Sequence, residues 1–179
     1  MLTDELEVIF SSNGYIEYQK GNMSLIACIP HGGHQQSSAS KTKKAWEKYH
    51  NFISRAIEDI KEKHRCGLLI DLHEHDQSEN IELGYMLSKE ELMLSDEQIN
   101  QSPSVQTEFS IKNLYLYHKE SLSFAELLCG KFNSLGGKLQ SYSYETTSSH
   151  INQYPKDEKY FFGGYTIKKY KLFIDAIQI

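Results

Sequence analysis

Two short segments of this 179-residue chain carry side chains able to hold a metal ion, Pro30-His31-Gly32-Gly33-His34 and Asp71-Leu72-His73-Glu74-His75-Asp76. Each follows an apolar run bounded like a buried strand, Leu25 to Ile29 and Leu68 to Leu72. Both sets of imidazoles would then stand at strand carboxyl ends, where open α/β sheets keep their sites. Gly32 and Gly33 let backbone or ligand come close. Alternation along an extended chain puts Asp71, His73 and His75 on one side and Leu72 and Glu74 on the other. Zinc suits such donors, because it takes imidazole nitrogen and carboxylate oxygen in three-ligand sites that leave one position for water. A carboxylate such as Asp71 can orient the imidazole of His73 from behind. The competing reading of the same spacing is a set of solvated loop histidines.

The elements that must position these groups are legible as periodicities. From Lys43 to His64 the residues Ala45, Trp46, Tyr49, Phe52, Ile53, Ala56, Ile57 and Ile60 recur at helical spacing, with Ser40 or Thr42 as candidate N-cap and Gly67 past the end. Strand, helix, strand in that order predicts an α/β layered fold with a partly parallel sheet. Two β-rich runs, Glu7 to Tyr18 and Met23 to Pro30, are joined by the turn signal Lys20-Gly21-Asn22, which predicts a hairpin feeding the first buried strand. Residues 88 to 110, rich in Ser, Asn and Gln and holding Pro103, read as a loop or insertion with a short helix at Lys89 to Leu94. A second helix is predicted from Phe124 to Leu135, opened by Ser123-x-x-Glu126 and stopped by Gly136-Gly137, with strand-like Lys138 to Tyr144 after it. Leu25 to Ile29, Leu68 to Leu72 and Phe173 to Gln178 are expected to be neighbours in one sheet covered by the long helix.

Composition narrows the class. Hydrophobic residues make up 39% and aromatics 12%, too much apolar material for a disordered chain, and the length suits one domain. No apolar run reaches the roughly 18 residues of a membrane span, and the acidic start is unlike a signal peptide, so a cytoplasmic protein is expected. A net charge of −5 with scattered basic residues argues against a nucleic-acid partner. Cys28, Cys66 and Cys129, unpaired in the sequence, read as reduced core thiols.

Ala45-Trp-Glu-Lys-Tyr-His50, Gly67-Leu-Leu-Ile-Asp-Leu-His73 and Ile81-Glu-Leu-Gly-Tyr-Met-Leu-Ser88 resemble a branch of the N-formylglutamate amidohydrolase family, related to zinc carboxypeptidases. Tyr160-Phe-Phe-Gly-Gly-Tyr165 and Ile174-Asp-Ala-Ile-Gln-Ile179 are similar to that branch's closing motif. With Gly21 to Gly33, these matches run in the family's order over most of the chain. The resemblance implies a three-layer α/β fold of the phosphorylase/hydrolase-like, zinc-carboxypeptidase type, a mixed central sheet with helices on both faces. It implies zinc on His31 and His73, with Glu82 and Tyr85 of the ELGY element near the site and Gly164 and Tyr165 of the closing motif beside the substrate. The activity implied is hydrolysis of amide bonds beside carboxylates, in N-acyl amino acids or peptides.

The pattern is also broken. Only His34 to Lys44 separates the PHGG element from the AW helix, where relatives place a long segment with an acidic metal ligand and basic substrate-binding residues. His34 is the first substitute for the third ligand, with His75 and Asp76 behind it. Lys168 or Lys169 stands where relatives carry a basic, histidine-containing stretch and is the candidate for a substrate carboxylate. The general-base glutamate of related enzymes follows the final strand, beyond Ile179, and Glu74, the one nearby acid that could replace it, is pointed the other way by alternation, so hydrolysis is expected to be impaired. The alternative expectation is a non-catalytic binding or regulatory domain that keeps the fold.

Overall fold

The computed structural model describes residues 7–11, 14, 16–30, 39–73, 80–156 and 160–179. Its first elements are β1 (Glu7–Phe10), β2 (Glu17–Lys20), β3 (Leu25–Cys28), α1 (Ala39–Lys63), β4 (Leu68–Asp71) and β5 (Ile81–Glu82). Five short helices follow, α2 (Lys89–Leu92), α3 (Asp96–Gln101), α4 (Pro103–Glu108), α5 (Lys112–His118) and α6 (Phe124–Cys129). The chain continues through α7 (Leu135–Ser141), β6 (Thr146–Thr147), α8 (Tyr165–Tyr170) and β7 (Asp175–Gln178). Helices are thus mixed with parallel and antiparallel pairs of strands.

The three apolar runs pair side by side in the order β3-β4-β7, both pairs parallel, with Cys28 opposite Asp71 and Asp71 opposite Gln178. Alternation gives Cys28, Leu69, Asp71, Ala176 and Gln178 one common face. On that face Cys28, Leu69 and Ala176 share a core with Ile53, Ile57 and Ile60 of α1 and with Ile167 and Tyr170 of α8. From the opposite face Leu68 and Ile177 enter a second core with Leu92, Ile99, Val105, Phe109, Phe124 and Leu128 from the run of short helices. Helices therefore lie on both sides of the sheet, as parallel strands require.

Helix α1 begins at Ala39, so Ser40 and Thr42 fall inside it and not at its cap. Phe52, Ile53, Ala56, Ile57 and Ile60 form its buried stripe. The hairpin differs from expectation, because β1 pairs antiparallel with β2 inside the first run, while Lys20-Gly21-Asn22 joins β2 to β3 in another sheet. Tyr18 of β2 stacks on Phe52 at 5.3 Å between centroids, which holds the hairpin against α1.

Residues 88 to 110 are not a loop. Ser88 with Glu91 and Ser95 with Gln98 form capping boxes, and Ser102 caps α4, whose first residue is Pro103. The polar residues that mimic loop composition are helix starts, and between them Leu92, Ile99, Val105 and Phe109 are buried. Gly136 and Gly137 also act differently from the expected stop, since both lie inside α7, and Lys138 to Ser141 is helix instead of strand. A Cβ on Gly136 would come 2.1 Å from the Ser148 carbonyl oxygen, so glycine there permits close backbone approach. Cys28 and Cys129 are buried free thiols as expected, but Cys66 is exposed. No helix of the described residues is long and apolar enough to cross a membrane.

One tertiary cap ties the sheet to the helices. Helix α5 has no side-chain cap of its own at Ile111. Instead the buried carboxylate of Asp175 in β7 accepts from Asn113 N at 2.9 Å, Leu114 N at 2.8 Å and Asn113 Nδ2 at 3.2 Å. Burial raises the pKa of this carboxyl, and the hydrogen bonds counter part of the rise. Asp175→Ala strands these donors and is expected to lower stability by about 1–3 kcal/mol, read from the urea unfolding midpoint. An unchanged midpoint would show that the cap contributes nothing.

Candidate functional site

Cys28, Asp71 and Gln178 mark the carboxyl edge of the three parallel strands, and Pro30, His73 and Ile179 follow them there. Backbone bonds extend the edge past the strands, from Leu72 N to Cys28 O at 2.8 Å, His73 N to Ile179 O at 2.7 Å and Ile179 N to Asp71 O at 2.9 Å. Asp71 is 1% exposed, and its Oδ2 lies 3.1 Å from Nε2 of the half-buried His73. A carboxylate only accepts, so Nε2 carries the proton and the neutral ring's lone pair sits on Nδ1. This is the arrangement that stands behind metal-bound imidazoles. The other oxygen, Asp71 Oδ1, is buried without a hydrogen-bond partner. The donor chemistry of His73 thus fits a zinc ligand.

His31 and His34 lie outside the described residues, as do Glu74, His75 and Asp76. The expected approach of His31 and His73 to one ion falls outside them too. Among the described residues, no group of three or more His, Cys, Asp or Glu is placed to hold a metal.

The ELGY and FFGGY elements, nearly 80 residues apart in sequence, lock together beside this edge. Gly84 N donates to Gln178 O at 2.9 Å and Gln178 N to Gly84 O at 3.1 Å, an antiparallel bridge on the rim of β7. Met86 N donates to Phe162 O, the buried Glu82 Oε2 accepts from Phe161 N at 3.2 Å, and the Tyr160 hydroxyl donates to Leu83 O at 2.7 Å. Gly163, at φ +130°, faces Met86, whose own φ is +64°, and a Cβ on Gly163 would come 2.7 Å from Met86 Sδ. Positive φ on a residue other than glycine is uncommon, so Met86, set against Gly163, marks a seam whose packing dictates the backbone. Of the residues expected near substrate, Glu82 serves this clasp, and Tyr85, 1% exposed, lies in the helix-side core. Gly164 sits at the N-cap of α8 with its Cβ direction 3.4 Å from Gln178 Oε1, and Tyr165 is exposed beside it.

Helix α1 adds residues not singled out from the sequence as site groups. The His50 ring meets Trp46, Tyr49 and Tyr165 edge-on. The Tyr170 hydroxyl donates to the His50 carbonyl at 3.1 Å, so at 2.9 Å from the ring it accepts from Nδ1–H. The structure separates the two candidate lysines. Lys168 is exposed, whereas Lys169 Nζ stands 4.7 Å from the Trp46 ring centroid and also faces Tyr165 and Tyr170, a cation–π arrangement. The signal available in sequence was Tyr49-His50 itself, two polar-tipped rings on an otherwise apolar stripe.

Burial, and then the Lys169 ammonium, push the His50 pKa down to about 4. The unfolded chain binds this proton first, near the ordinary pKa of about 6.5. The stability linked to a neutral His50 is therefore whole above about pH 6.5 and lost as pH falls toward 4. His50→Gln is expected to lose less stability than the natural chain between about pH 7.5 and 4.5, measured by urea unfolding at both. Equal losses would mean that His50 titrates normally.

No family model, curated protein or solved structure matches this chain.

Proposed function

We propose that this protein is a zinc-dependent hydrolase of amide bonds beside carboxylates, with His31 and His73 holding the ion and His34 as third ligand. The observation that carries this reading is the Asp71–His73 pair at the carboxyl end of the central parallel strand. Parallel sheets place their chemistry at that end, and a carboxylate-held imidazole is the usual backing of a metal ligand. Zinc there supplies a Lewis acid for the scissile carbonyl and for water. The chain's own contribution is to hold the His73 tautomer through Asp71 and to offer Gly164 and Tyr165 on the same rim. Lys168 and Lys169, on the helix that Gly164 opens, supply positive charge of the kind that suits an N-acyl amino acid or peptide carboxylate.

A second reading, a binding or regulatory domain that retains the hydrolase fold, is favoured by the use of Glu82 and Tyr85 for structure instead of for contact with a ligand. Zinc content of the purified chain, followed by turnover of N-formyl- and N-acetylglutamate, decides. Bound zinc with turnover supports the hydrolase. Bound zinc with ligand binding but no turnover favours the second reading, and no zinc in a folded protein defeats the metal reading.

A further inference from the structure

We propose that Tyr49 is a positioning residue for His73, acting through one buried water that bridges its hydroxyl to the unpaired oxygen of Asp71. Tyr49 Oη and Asp71 Oδ1 are both buried, and neither has a hydrogen-bond partner. Buried polar groups are as a rule paired with protein or with ordered water. These two are a donor and an acceptor in one place. Cys28 lies directly across from Asp71 in the strand register. The Tyr49 hydroxyl is held above its ordinary range first by burial and then by the Cys28 thiol and the Asp71 carboxylate beside it. Thr166 is a neighbour as well, yet neither it nor Cys28 meets the hydroxyl in hydrogen-bonding geometry. A thiol is in any case a weak partner. No direct bond joins Tyr49 to Asp71, and a polar pair separated beyond hydrogen-bond reach is the setting in which one water completes both.

The consequence is mechanical. With Oδ2 on His73 and Oδ1 on the water, the carboxylate is fixed at both ends and cannot turn about its Cβ–Cγ bond. Its grip on Nε2–H keeps the lone pair on Nδ1. Without Tyr49's hydroxyl the water loses its donor, and Asp71 is restrained by His73 alone. The purpose of the relay rests on the reading of His73 as a metal ligand, but its geometry does not.

The test is performed on the full, metal-free chain labelled with nitrogen-15, reading the His73 ring nitrogens in long-range proton–nitrogen spectra. Nε2–H is expected to dominate in the natural protein. Asp71→Asn should shift His73 toward a mixture of tautomers, and Tyr49→Phe, which keeps the ring, should shift it part of the way in the same direction. His73 signals that superimpose on the natural ones in Tyr49→Phe while Asp71→Asn moves them would overturn the relay. The natural protein provides a second reading without any variant, an Overhauser effect from Tyr49 ring protons to a long-lived internal water, whose absence would overturn it equally. If Tyr49→Phe moves His73 in a protein that takes up no zinc, the relay stands and only the metal reading falls.

Discussion

His73→Ala is expected to lower zinc affinity by more than about 100-fold, since losing even an outer partner of a metal-bound histidine costs about 10–100-fold. Asp71→Asn should fall within that smaller range, because asparagine can still meet the ring but lacks the charge that favours Nε2–H. The contrast between the two variants is what identifies a ligand and its backing, whereas two equal losses would point to general damage at the edge. Competition with a chromophoric chelator measures both affinities, and circular dichroism checks that His73→Ala folds. An alanine variant that binds zinc as tightly as the natural chain would remove His73 from the site and leave the Asp71–His73 bond as a structural contact.

Gly84→Ala carries the largest expected loss of stability. The added Cβ would lie 2.4 Å from Phe161 O, 2.7 Å from Gly163 N and 2.7 Å from Phe162 C. All three are backbone atoms, so no side chain can rotate away. Retreat of Gly84 is blocked as well, because its amide and carbonyl are both bonded to Gln178. Overpacking a tight site costs typically 1–3 kcal/mol, and about 3 kcal/mol is expected here, a large share of the roughly 5–15 kcal/mol that holds a domain together. Gly21→Ala is the control, with nothing within 4 Å of its Cβ and an expected change within about 0.5 kcal/mol. Similar unfolding midpoints for the two variants would show that the ELGY and FFGGY elements are not clasped as described.

What the sequence disclosed and what it hid follow one physical division. Leu25 to Ile29, Leu68 to Leu72 and Phe173 to Gln178 were legible as strands of one sheet because each run is mostly apolar, as parallel strands packed under helices are, even though the first of them is half exposed. Asp71 and His73 were legible as a pair because two residues of separation suffices to bring them together. Between Ser88 and Phe109 the short helix at Lys89 was legible, whereas α3 and α4 were hidden because each is only a turn or two long, too short for periodicity to register, and their caps use the residues that loops use. Gly136 and Gly137 misled for a related reason, since a glycine demanded by a neighbouring chain looks the same as one that ends a helix. Tyr49 was counted toward the apolar stripe of α1, and nothing local distinguishes a tyrosine that fills space from one whose hydroxyl lies near a carboxylate of the next strand.

The order of the central sheet also has a kinetic side. Strand β4 meets β3 after one helix, but its other neighbour, β7, begins at Asp175, more than a hundred residues further along. Pairings of such long sequence separation are slow to form, because a large loop must close before the contact rewards it. The edge bearing Asp71 and His73 is therefore half-built until β7 docks and Gln178 takes its place beside Asp71. Trp46, the one tryptophan in the chain, stands on α1 against Tyr165 and Lys169 of α8, the helix that packs with β7. Its fluorescence is an intrinsic clock for that late arrival, with the assembly of the site and the brightness of a single indole tied to the same event.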